Sequence, residues 1–190
     1  MTIELGGHNL ILVAHPDDEA MWGASLPIRF GESRLFTVIC CSIPRRDPIR
    51  AWKFFDSCYR LGAFPRILPF HETEVGSPLS GLETLGSLPE YDCIITHGPD
   101  GEYGHSHHVS VHDYAKSIAN GRKFITFAYR AGNTAIFLSH EEQMKKANAL
   151  RAYDHILPYN GREIPKWEAL LERYYETENR DFGVEYFGTA

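Results

Sequence analysis

The chain alternates short, unbroken apolar runs with longer segments whose apolar positions recur every three or four residues. The runs "NLILVAH" from Asn9, "LFTVICCSI" from Leu35 and "YDCIITHG" from Tyr91 are too short for helices and do not alternate. They predict strands buried on both faces. "RILPF", "KFITFAYR" and "TAIFLS" predict further strands. Between them, "EAMWGASL" has helical character up to Pro27. After Pro48, "IRAWKFFDSCYRLGA" follows a helical period, with Gly62 as a natural stop. "HSHHVSVHDYAKSIANG" predicts a helix ending at Gly121, and "HEEQMKKANALRAYDHI" and "PKWEALLERYYETENR" predict two more. The stretch "HETEVGSPLSGLETLGSLPE" reads as a loop with a short helix.

Buried strands separated by helices imply an α/β fold: a Rossmann-like three-layer sandwich around a mostly parallel sheet. Without repeats, low-complexity tracts or a linker, residues 1–190 are expected to form one domain. In such sheets ligands bind beyond the carboxyl ends of the strands. "AHPDDE" follows the first strand, and "THGPDGEYGH" ends the one that begins near Tyr91. Both polar stretches therefore belong on one edge of the sheet.

The first of them is chemically odd. Asp17, Asp18 and Glu19 stand in succession behind His15 and Pro16, where a turn alone could use uncharged residues. Taken singly, this is also what a proline-initiated turn with acidic capping looks like. Taken with the histidine-rich helix, it suggests a cation. His15 and Asp18 can converge on one ion, with His108 as the third ligand and His112, one helical turn on, as its rival. Two histidines and one carboxylate with an open position form a catalytic zinc pattern, and Fe2+ or another divalent transition ion suits the same donors. Asp17 is then left as a general base on water, and His105 as a donor to an oxyanion. No GxGxxG, P-loop or GxSxG motif offers a competing chemistry.

Composition narrows the partners. A net charge of −6 argues against nucleic acid. No apolar run approaches the roughly 20 residues of a membrane span. The start of the chain shows no basic segment followed by an apolar one, so a cytoplasmic location is expected. Cys40, Cys41, Cys58 and Cys93 form no CxxC and read as buried, reduced thiols. Arg45, Arg46, Arg50 and Lys53 cluster around Asp47, which raises an anionic small-molecule ligand as a possibility to test. Oligomeric state is left open.

"VAHPDDE" after a buried strand, with a later "HGPDGEYGHSHH", resembles the LmbE-like (PIG-L) N-acetylglucosaminyl deacetylases. "RAWKFFDSCYRLGA" resembles that family's helix bearing a substrate-touching arginine. The resemblance implies a zinc-dependent hydrolase of Rossmann-like fold acting on an N-acetylated sugar or glycoconjugate. It implies His15, Asp18 and His108 as zinc ligands, Asp17 as the base and His105 as the oxyanion stabiliser. It adds Arg50 and Tyr103 as substrate-binding residues. Two departures stand out. His107 replaces an acid expected between His105 and His108, which bears on how His105 is tuned. Lys53 replaces a glutamate expected after Arg50, which bears on the substrate contact. Neither is expected to touch the ligands. An amide hydrolase for a non-sugar acyl group, or a non-catalytic metal-binding module, would share these features.

Overall fold

The strand that leads into "HPDDE" is covered on both sides. In β1 (His8–Val13), Ile11 and Val13 pack into one apolar cluster while Leu10, Leu12 and then Ala14 pack into another. That is why its sequence does not alternate. The computed structural model describes residues 3–189, apart from 46, 73–75, 86, 87, 89, 130, 131 and 178–180. After β1 come α1 (Asp18–Trp22), α2 (Ser25–Phe30), β2 (Leu35–Cys40), α3 (Ile49–Arg60) and β3 (Phe64–Ile67). A short 3-10 turn (Leu82–Leu85) precedes β4 (Cys93–Thr96), α4 (Gly101–Gly104), α5 (Ser106–Ala119), β5 (Lys123–Ala128) and β6 (Thr134–Phe137). The chain continues through α6 (His140–Leu150), the hairpin β7 (Ile156–Tyr159) and β8 (Arg162–Pro165), α7 (Lys166–Leu171) with a π-helical turn (Glu172–Thr177), and β9 (Val184–Thr189).

The main sheet has the order β3-β2-β1-β4-β5-β9-β6. Its first five strands are parallel, and β9 is antiparallel to both neighbours. The mostly parallel α/β sheet expected from the sequence is therefore present. The strand order reverses between β1 and β4, so their carboxyl ends open the crevice where such sheets take ligands. β1 leads to His15 and β4 leads to His97 in that crevice.

Several boundaries differ from the expectation. The break after "EAMW" falls at Gly23 rather than Pro27. Pro27 sits in the first turn of α2, where no backbone N–H is required, and the helix runs on to Phe30. α6 begins on a capping box between Ser139 and Glu142 but stops at Leu150, short of Ile156. The remainder turns into the β7–β8 hairpin around Asn160 (φ 49°) and Gly161 (φ 76°), an Asn-Gly pair suited to a two-residue turn. The helix expected over 165–180 changes to π-helical winding after Leu171. The four cysteines are buried free thiols, as expected. Among the described residues no helix is long and apolar enough to cross a membrane.

Candidate metal and active site

The turn after β1 is bent by its own acids. Asp17 has φ 108°, a conformation few L-residues adopt, and its backbone N–H donates to Glu19 Oε2 at 3.0 Å. Glu19 is itself fixed by Ser57 Oγ (2.6 Å) and Tyr153 OH (2.7 Å), which donate to Oε1. Burial raises its carboxyl to about 7 against those hydrogen bonds. The third acid thus holds the turn, and the other two face the crevice.

His15 Nδ1, Asp18 Oδ2 and His108 Nε2 form a triangle with edges of 3.3, 3.3 and 3.5 Å. Ligands about 2.0–2.1 Å from a tetrahedral zinc stand roughly 3.3–3.4 Å from one another, so the three donors fit such an ion. Burial pushes His15 well below its ordinary value, keeping it neutral as a ligand must be. Two other nitrogens come near. His97 Nε2 is 3.4 Å from Asp18 Oδ2, but it accepts the Ala14 N–H at 3.0 Å. That leaves no lone pair for an ion. His105 lies close to His15 and His108, but its Nδ1 accepts the His107 N–H, so Nε2 carries the proton. Burial, with His108 beside it, lowers His105 to about 4. It is a neutral donor. His112, the rival third ligand, instead donates Nδ1–H to the His97 carbonyl at 2.8 Å.

Around this triangle lies a carboxylate that the sequence reading did not assign. Glu102 Oε2 accepts from His108 Nδ1 (2.5 Å) and His97 Nδ1 (2.9 Å), and Oε1 accepts the Gly98 N–H (2.6 Å). Burial opposes its charge, but His97 and the hydrogen bonds from the two rings hold it at about 2. Glu102 also has a positive φ of 61°, steadied by Asp100 accepting its N–H. A carboxylate behind a ligand histidine orients the ring and raises its basicity. We expect Glu102→Gln, which keeps the volume and removes the charge, to weaken zinc affinity by about 10–100-fold in competition with a chelator. Unchanged affinity would show that Glu102 does not serve the ligand.

The two departures also find their places. His107 Nδ1 lies 3.0 Å from His15 Nε2. His107 does bear on His105, through its backbone N–H, but the expectation that it leaves the ligands alone is corrected: its side chain hydrogen-bonds a candidate ligand. Helical geometry explains this, because His107 and His108 both turn inward from the start of α5 toward the β1 turn. Lys53 pairs with Asp154 at 2.5 Å. It is not among the residues lining the cavity.

A cavity of about 470 Å³ opens over the triangle, lined by His15, Asp17, Asp18, His105, Tyr103 and residues of the β7–β8 hairpin and α7. Arg50 lines it as well, with Nε donating to the Pro16 carbonyl (2.5 Å) and Nη2 to Asp17 Oδ1 (2.8 Å). Asp17 Oδ2 is buried without a hydrogen-bond partner among the described residues. Tyr103 is 39% exposed and stacks near Trp22. Arg45 is exposed away from the cavity, and Arg46 lies outside the described residues.

Fold and site together define an α/β protein with a candidate three-donor metal centre at the switch point of its sheet. No family model matches the chain. It is 26% identical to the 1D-myo-inositol 2-acetamido-2-deoxy-alpha-D-glucopyranoside deacetylase of Corynebacterium diphtheriae, over 56% of this chain and 50% of that protein. The chain thus spans about half the length of this curated relative. Among solved structures it is similar to the N,N'-diacetylchitobiose deacetylase of Pyrococcus horikoshii, with a TM-score of 0.70, 15% identity and coverage of 97% and 84%. It is also similar to the 4-carboxy-2-hydroxymuconate hydratase of Pseudomonas putida KT2440, with a TM-score of 0.67, 12% identity and coverage of 97% and 96%. The A40926 pseudoaglycone deacetylase shares the fold at a TM-score of 0.64 and 15% identity, covering 91% and 86%. The resemblance to LmbE-like deacetylases read from the two motifs therefore holds in sequence and in fold.

Proposed function

We propose that this chain is a divalent-metal hydrolase that removes the acetyl group from the nitrogen of an amino sugar or sugar conjugate. The observation that carries the reading is the donor triangle of His15, Asp18 and His108 with Asp17 Oδ2, which has no hydrogen-bond partner among the described residues, in the same cavity. The fold alone does not select this chemistry, because a hydratase shares it. The likeness to a sugar deacetylase supports the sugar as substrate.

Zinc or a similar ion held by the triangle would supply an acidified water and an electrophile for the acyl carbonyl. Asp17 takes the proton of the attacking water on Oδ2, while Arg50 keeps the carboxylate turned by holding Oδ1. His105 offers its Nε2–H to the carbonyl oxygen as that atom becomes negative. Tyr103, Leu157 and Leu170 give the cavity apolar surface for a sugar ring.

Metal analysis and an acetate assay test this reading. His15→Ala, Asp18→Ala and His108→Ala are each expected to lose stoichiometric zinc, and His112→Ala to keep it. The zinc-loaded wild type is expected to release acetate from one or more N-acetyl sugars. An empty His112→Ala would move the third ligand. Turnover of non-sugar amides alone would move the substrate to that class.

A further inference from the structure

Lys166 opens α7, far along the chain from both motifs, yet its Nζ lies 3.7 Å from Asp17 Oδ2. Its side chain is 18% exposed and lines the same cavity as His105 and the donor triangle. The Asp17 oxygen it approaches is the one without a hydrogen-bond partner. Arg50 holds the other oxygen. Two cations thus flank one carboxylate, and they differ in chemistry. A guanidinium does not give up a proton at working pH, whereas a buried ammonium can. Among the described residues, the charged groups facing Lys166 are Arg50, Asp17, Asp47, Arg173 and Glu72. Burial first, then Arg50, holds Lys166 below its ordinary value.

Hydrolysis of an amide needs a second proton transfer, for which the residues assigned above offer Asp17, once it holds the water's proton, and His105. When the C–N bond breaks, its electron pair goes to nitrogen, and the amine leaves readily only if that nitrogen gains a proton. Asp17 faces the water, and the single N–H of His105 faces the carbonyl oxygen. We propose that Lys166 is the general acid of this site, passing an Nζ proton to the departing nitrogen as the C–N bond breaks. The lysine is left neutral and regains a proton from Asp17 Oδ2, 3.7 Å away, which holds the one taken from the water, so both groups return to their starting states without a co-reactant. The proposal rests on the deacetylase reading above.

The test compares two acetyl donors on the zinc-loaded protein. N-acetylglucosamine has an amine that must be protonated to leave, and 4-nitrophenyl acetate has a phenoxide that need not be. Lys166→Met is expected to lose about 10²-fold or more in kcat on the amide. On the ester it should stay within about 3-fold of wild type, which also shows that the site is folded. Lys166→Arg should not restore amide turnover, because it keeps the charge and cannot give the proton. Rescue by arginine would overturn the proposal in favour of a fixed positive charge. Equal losses on both donors, or a change confined to KM, would overturn it too. A wild type that cleaves the ester and no amide would instead overturn the deacetylase reading, and the proposal with it. A measurement on the unmutated protein stands beside these. Site-resolved acylation of Lys166 against pH should reach half its limiting rate at lower pH than the exposed lysines. A Lys166 that titrates with them contradicts the assignment.

Discussion

Asp17→Asn is expected to keep its zinc and lose about 10²–10⁴-fold in turnover. The amide has the same volume and can still accept from Arg50, so the turn and the donor triangle should stand. What it lacks is a basic lone pair on the oxygen that has no hydrogen-bond partner among the described residues. Asp18→Asn next door changes a donor of the triangle and should weaken the metal instead. Steady-state rates together with metal content on both variants separate the two roles. Near-normal turnover in Asp17→Asn would remove it as the base. Arg50 takes on a different meaning in the same light. With two donors on Pro16 and Asp17, it is placed to position the proposed base, so Arg50→Gln should lower kcat more than it raises KM.

The candidate site divides into a part that was legible in the chain and a part that was not. His15, Asp17, Asp18, His105 and His108 sit in two short motifs at strand ends, and residue chemistry at those ends is enough to suspect an ion. Glu102 and His97 lie within the second motif, yet their role depends on a positive φ at Glu102 that folds its carboxylate back under two rings. Spacing does not reveal that. Lys166 was beyond reach for another reason: it is brought to Asp17 by a hairpin some 150 residues later in the chain, and no local pattern links the two. The hairpin itself was legible. Asn160-Gly161 between two short apolar-polar runs is a strong turn signal, but it lies in residues 157–164, between the two expected helices, to which the sequence reading gave no element. The strand β9 was less so, because it enters the sheet antiparallel between β5 and β6, where nothing in the repeating strand-helix pattern calls for a strand.

That late strand carries the second large effect expected here. Glu185 of β9 is 1% exposed and pairs at 2.8 Å with Lys146 of α6, which is fully buried. Lys146 also lies over the rings of Tyr175 and Phe182, and Glu185 Oε2 accepts the Ser25 N–H at 3.0 Å. One ion pair therefore ties α2, α6 and β9 together inside the core. Burial works against the ammonium, but Glu185 and Tyr175 together outweigh it, so the lysine stays charged. Lys146→Ala leaves a carboxylate in the core with its countercharge gone, and should cost about 3–5 kcal/mol of unfolding free energy. Native domains hold only about 5–15 kcal/mol, so the variant should sit near the edge of folding. Replacing both partners with apolar groups, as in Lys146→Met with Glu185→Leu, removes the desolvation penalty along with the attraction and should recover most of that loss. Urea denaturation of the single and double variants measures both. If the single variant lost less than about 1 kcal/mol, the scale expected of an exposed pair, the pair would not be the clamp on β9 that its burial implies. If the double variant were as unstable as the single one, the polar contacts of Glu185 with Ser25 and of Lys146 with the two rings would carry the stability in place of the ion pair.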